Sequence, residues 1–237
     1  MRDKITAALV VLVLSLSLDA PVFAGPFEDG LAAAKRGDYA TALGIWRPLA
    51  DQGDAEAQYN LGAMYATGVG VPQNYTEAAK WDRKAADQGH AASQNNLAEM
   101  YAKGQGVPQN YAEAATWWGK AAEQGDATAQ YNLGAMYAKG DGVKQDYAEA
   151  AKWRRKAADQ GHAQAELGLG VMYAKGQGVP QDYVQAYKWF SVAAARYPAS
   201  SAGERQIAVD ARDAVAAEMT PAQIAEGQKL AKEWKPR

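Results

Sequence analysis

The sequence predicts an all-α fold of stacked helix-turn-helix repeats, twelve helices with no sheet. Three observations predict it. Columns of identical residues recur every 36 positions: Tyr65, Tyr101, Tyr137 and Tyr173; Trp81, Trp117, Trp153 and Trp189; Gly53, Gly89, Gly125 and Gly161. Within a unit the apolar residues fall at helical spacing. Each unit is framed by start and stop signals for two helices. The ten residues AQYNLGAMYA even occur twice without change, at 57–66 and 129–138, with looser copies at 93–102 and 165–174.

In chain order, residues 1–24 come first. Arg2 and Lys4 precede an apolar run from Ile5 to Leu18, and Val22-Phe23-Ala24 suits a peptidase cut before Gly25. This is the pattern of a cleaved secretory signal, too short in its apolar part for a spanning helix. It predicts a periplasmic or secreted protein that keeps no membrane segment after cleavage. The chain has no cysteine, so neither a lipoprotein anchor nor disulfides are expected, and stability rests on packing. The formal net charge is −2, which offers no basic excess for nucleic acid.

Residues 25–53 form a partial unit that lacks the long loop and has Ile45 in the Trp column. It is expected to cap the N-terminal end. Residues 54–197 hold four 36-residue units. The first helix of each opens at Asp54 or its equivalent and carries a stripe such as Ala57, Leu61, Met64 and Tyr65. It stops at Gly68, Gly104, Gly140 or Gly176, where glycine takes the left-handed cap. A loop of the form GxGVPQ follows, with Lys144 replacing Pro in the third unit.

The second helix has a capping-box pattern: Asn74 with Glu77, Asn110 with Glu113, Asp146 with Glu149, Asp182 with Gln185. Each such cap stabilises its helix by about 1 kcal/mol. A pair of short helices cannot bury its stripe alone, whereas stacked neighbours bury it continuously. Identical stretches recur because each unit packs against its own likeness. After Tyr197 the repeat breaks. Residues 198–237 read as a C-terminal helical cap, one helix over 201–217 with Ser201 and Glu204 as its cap pair. A second starts at Thr220-Pro221, with Ile224, Leu230 and Trp234 turned to the last repeat.

The pattern AxAQYNLGxMYxxGxGVxxxYxxAxxWxxxAAxxG, as it stands from Ala55 to Gly89, resembles the Sel-like (Sel-one) repeat family, relatives of the tetratricopeptide repeat. The resemblance implies a right-handed α-solenoid whose first helices line a concave face, and an adaptor role toward other proteins. One branch of the family, with cysteine pairs in each unit and described action on β-lactams, is a poor match to a chain without cysteine.

No catalytic constellation stands out. His90 and His162 share a column with Asp54 and Asp126 and read as turn or cap residues. No S-x-x-K motif occurs, and the Gly104–Gly106 run follows a helix where a phosphate-binding loop needs a strand. No cofactor or metal is expected. The run Lys152-Trp-Arg-Arg-Lys156 reads as a solvated helix face around a core Trp, with Arg155 and Asp159 as an i,i+4 pair.

Binding residues should fall in columns that vary while the core columns stay fixed. On the first helices these are Tyr59, Asn95, Tyr131, Leu167 and Ala63, Glu99, Ala135, Val171. Asn60, Asn96 and Asn132 add a row of amides able to grip a peptide backbone, broken at Gly168. Trp118 stands in a column with Asp82, Arg154 and Phe190, a composition that predicts partial exposure and an interface role. Tyr59, Asn60, Asn95, Asn96, Glu99, Trp118, Tyr131, Asn132 and Leu167 are thus the expected contacts for a protein or extended-peptide partner. The expected function is a non-catalytic, monomeric adaptor, with envelope regulation as one possible use. A cell-wall or β-lactam-acting enzyme and a self-associating spacer are the alternatives.

Overall fold

The computed structural model describes residues 25–236, so the expected signal segment at 1–24 lies outside the described residues. The described residues form twelve α-helices and one short 3-10 turn, with no strand. They fall into two compact units, the first running to His90 and taking in Gln105–Val107, the second comprising Ala91–Gly104 and everything from Pro108 onward.

The first unit contains α1 (Pro26–Lys35), α2 (Tyr39–Asp51), α3 (Ala55–Thr67) and α4 (Tyr75–Asp87), each packed on the next. Its core joins Ala33, Ala42, Trp46, Leu61, Met64 and Trp81. Ile45 occupies the Trp column, yet it is Trp46 that enters this core, its indole N–H donating to the Phe27 carbonyl at 3.3 Å. Gly30 makes room for it: a β-carbon there would lie 2.3 Å from Trp46 Nε1.

The second unit contains α5 (Ala91–Lys103), α6 (Tyr111–Glu123), α7 (Ala127–Lys139), α8 (Tyr147–Asp159), α9 (Ala163–Lys175) and α10 (Tyr183–Arg196), again packed in chain order. A 3-10 turn (Ala199–Ser201) leads to α11 (Ala202–Ala216) and α12 (Pro221–Glu233), both packed on α10. Val215 and Ile224 join Tyr187 and Phe190, and Trp234 meets Trp189 edge-on at 5.5 Å.

The caps form as the sequence implies, with two differences. Asp54 and Asp126 each accept an amide at 2.7 Å, from Ala57 and Ala129. Asn74, Asn110 and Asp146 each accept two. The returning half of the box is not made by Glu77, Glu149 or Glu113. Glu77 and Glu149 pair with Lys80 and Lys152 one turn on, and Glu113 accepts from the Trp117 indole. A side-chain cation or N–H three or four residues later competes for the same carboxylate. Ser201 makes no side-chain cap bond, because the chain enters α11 from the 3-10 turn. The complete box is at Thr220 with Gln223.

The loop glycines fix how one hairpin meets the next. Gly106 has φ +72° and lies so close to α4 that a β-carbon would sit 2.1 Å from the Tyr75 carbonyl oxygen. Gly142 stands likewise against Tyr111. Positive φ and backbone-to-backbone approach both demand glycine.

An amide relay runs within each unit. In the first unit Gln88 donates to Gln58 at 2.8 Å, and Gln58 donates to the Ala50 carbonyl at 3.0 Å. In the second, Gln124 donates to Gln94, and Gln160 to Gln130, whose amide reaches the Ala122 carbonyl at 3.0 Å. At the next step the same two positions hold Glu166 and Arg196, paired at 2.8 Å.

Candidate partner-binding face

The residues expected to bind, all but Trp118 of α6, sit on first helices, one position before or after the core columns, and the structure gives them unequal roles. In the first unit the Tyr59 ring lies 4.9 Å from the His90 ring, and the Asn60 amide donates to the Glu56 carbonyl of its own helix at 2.8 Å. Asn60 is thereby turned toward its own backbone.

In the second unit Asn95 accepts from the Trp118 indole at 3.0 Å. Trp118 is 7 % exposed and is therefore a core residue, against the exposure its column composition predicts. The physical reason lies across the helix pair. The facing column reads Gly62, Ala98, Gly134, Gly170, small residues that leave room for second-helix side chains. Asp82 and Phe190 are buried by the same means. Glu99 stays at the surface, paired with Lys103. Asn96 is half-buried. Tyr131 stacks on His162 at 4.8 Å. His162 caps α9 by accepting the Ala165 amide at Nδ1. Burial holds its pKa below the ordinary histidine value, against the opposing pull of Asp126, so the ring is kept neutral and able to accept.

Asn132 is partly exposed, and its side chain makes no hydrogen bond among the described residues. Leu167 differs from the groove residue expected of it. It packs against Ala193, Tyr197 and Ala208 and against Tyr187, Phe190 and Val215, so α10 and α11 cover it.

Two arginines read as solvated turn inward. Lys152 and Lys156 do remain at the surface, Lys152 paired with Glu149 at 3.0 Å and Lys156 set over the Trp153 ring at 4.2 Å. Arg155 instead donates to the Tyr173 hydroxyl and lies over the Trp189 ring at 5.0 Å, so the expected pair with Asp159 is not made. Arg154 runs from α8 across Gly134, where a β-carbon would meet its Cγ at 3.0 Å, and ends at Gly168 of α9. Its Nη1 is 3.5 Å from the Gly168 carbonyl, and its Nε is buried with no partner. Desolvation lowers its pKa from the usual arginine value, with Tyr131 acting the other way. The sequence signal for this was the pair of glycines, Gly134 and Gly168, that clear the path.

The face thus offers hydrogen-bond donors and acceptors, an aromatic pair and a cation, groups able to hold a ligand by complementarity.

The Sel1 repeat family model matches residues 55–90, 91–126, 127–162 and 163–197. Among solved structures the chain is similar to a Sel1 repeat protein from Oxalobacter formigenes, with 31% identity, a TM-score of 0.73, and 88% of this chain and 86% of that one covered. It is also similar to c5321, a protective antigen of uropathogenic Escherichia coli strains with an SLR fold, with 30% identity and a TM-score of 0.55. That match covers 88% of this chain and 52% of that one, so the chain spans about half its length. The comparison with curated proteins gives no match. Four matched repeats and a solved relative alike over most of both chains place this chain in the Sel1 repeat family.

Proposed function

We propose that this protein is a non-catalytic adaptor of the periplasm or the secreted space that holds a protein partner on the first helices of its second unit. Sel1 repeats commonly serve as scaffolds for protein interaction. The observation that carries the reading is Asn132: a partly exposed amide, unused by the fold, beside the Tyr131–His162 stack. An amide left free in both donor and acceptor capacity matches the main chain of an extended segment. The N-terminal signal pattern supports export.

A photo-crosslinker placed at Asn132 in producing cells tests it. A discrete adduct with one envelope or secreted protein is expected, absent when the crosslinker stands at Lys144 in the loop. No adduct, or equal adducts at both positions, would remove the binding reading. Osmotic-shock fractionation with N-terminal sequencing checks export, the expected new terminus being Gly25.

A further inference from the structure

The second unit contains a cation with no anion. Arg154 extends from α8 past Gly134 to the place on α9 where Gly168 interrupts the asparagine column. A side chain at 168 would compete for the space the guanidinium fills, since a β-carbon there would lie 3.2 Å from Nη1. The break in the amide row and the arriving arginine are therefore one arrangement, in which a guanidinium replaces an amide at the end of the row. The guanidinium makes a single long contact, 3.5 Å to the Gly168 carbonyl, and buries Nε without a partner. Among the described residues no carboxylate pairs with it, although the chain has 27 Asp and Glu. Tyr131 is the titratable neighbour that acts on it, from α7.

A half-buried guanidinium without a counter-ion costs free energy that the fold could avoid with a neutral residue. Its planar fork is suited to a carboxylate. We propose that Arg154 anchors an acidic side chain, Asp or Glu, of the extended segment that the partner lays along Asn132. This rests on the partner-binding reading of the face and adds the partner's chemistry to it. A side chain fits better than a chain terminus because Arg154 is largely buried, its Nε enclosed. A projecting carboxylate enters while the main chain stays at the level of the Asn132 amide.

The test uses three labelled hexapeptides in fluorescence anisotropy at low salt: blocked hexaglutamate, blocked hexaglutamine, and hexaglutamine with a free C-terminus. The wild type should prefer hexaglutamate. R154Q should weaken that binding about tenfold, the scale of one charge-assisted hydrogen-bonded pair. R154K should recover only part of it, and K152Q should change it less than twofold. The preference is overturned by equal hexaglutamate binding to wild type and R154Q. It is equally overturned if the wild type does not distinguish the two blocked peptides, or if only the free C-terminus depends on Arg154. In the folded wild type, the Arg154 Nε–H resonance should shift on titration with hexaglutamate, and an unmoved resonance also refutes the anchor. Crosslinking from Asn132 separates the two readings. A partner adduct that forms equally in wild type and R154Q keeps the binding face and removes the anchor.

Discussion

Replacing Glu166 with glutamine restores the residue that stands at that step in the earlier repeats, Gln58, Gln94 and Gln130. In those repeats the glutamine accepts from the residue 30 positions on, and Gln58 and Gln130 donate to the carbonyl eight positions back. Glu166 keeps the first bond, accepting from Arg196 at 2.8 Å, but a carboxylate has no proton for the second. Its Oε2 is buried without a partner, and the side chain is 0 % exposed. Burial pushes the carboxyl up to about 7 from 4.5, opposed by Arg196. Tyr197 stands near it, held above its ordinary value chiefly by burial, with Tyr131, Glu204 and Glu166 adding.

The folded chain therefore holds this proton more tightly than the unfolded chain. The stabilisation it gives is complete below about pH 4.5 and lost as pH rises through about 7. At about 1.4 kcal/mol per pH unit of separation, the whole effect is about 3 kcal/mol, most of it between pH 5 and pH 8. Glutamine supplies the N–H at every pH. Urea unfolding of the second unit, followed by circular dichroism at pH 5 and pH 8, should show E166Q close to wild type at pH 5. At pH 8 it should be more stable by about 2.5 kcal/mol. The same pH slope in both proteins, or an E166Q that is weaker at pH 8, would refute the account of the buried carboxyl.

Three further outcomes follow from glycine and tryptophan positions. Gly106→Ala should lower stability by about 2 kcal/mol or more, because it meets a positive φ and the Tyr75 carbonyl together. Gly119→Ala, inside α6 with open space around it, should raise stability by about 0.5–1 kcal/mol, so thermal melts of the two should move in opposite directions. Trp118→Ala should cost about 3–5 kcal/mol as a cavity in the core. A variant that melts like wild type and loses only partner capture would return Trp118 to the surface role its column suggests.

Period, helix count and caps were legible in the sequence because they depend on local chemistry. Tyr65 and Trp81 with their repeats, the Asn74-type starts and the Gly68-type stops each act within one turn of helix. The residues that faced wrongly in the sequence reading all belong to one kind. Trp118, Arg154 and Arg155 sit on second helices at angles that helical spacing assigns to the margin of the core. At a margin, depth depends on the facing helix. Gly134 and Gly168 admit Arg154, Gly62 admits Asp82, and Gly170 admits Phe190. Leu167, on a first helix, is partly buried for a related reason, since α11 packs against it from far along the chain. Glu166 and Arg196 carried a readable signal: the two glutamine columns become acid and base at the same step.

By itself, then, the sequence determined the repeat, its two helices and the positions that stay constant, since a surface that must match its own copy leaves a periodic record. Only the tertiary structure decided which charges are buried and which amides are left free. Those outcomes depend on side-chain volumes that meet across helices, and a single position in the chain does not encode what it will meet.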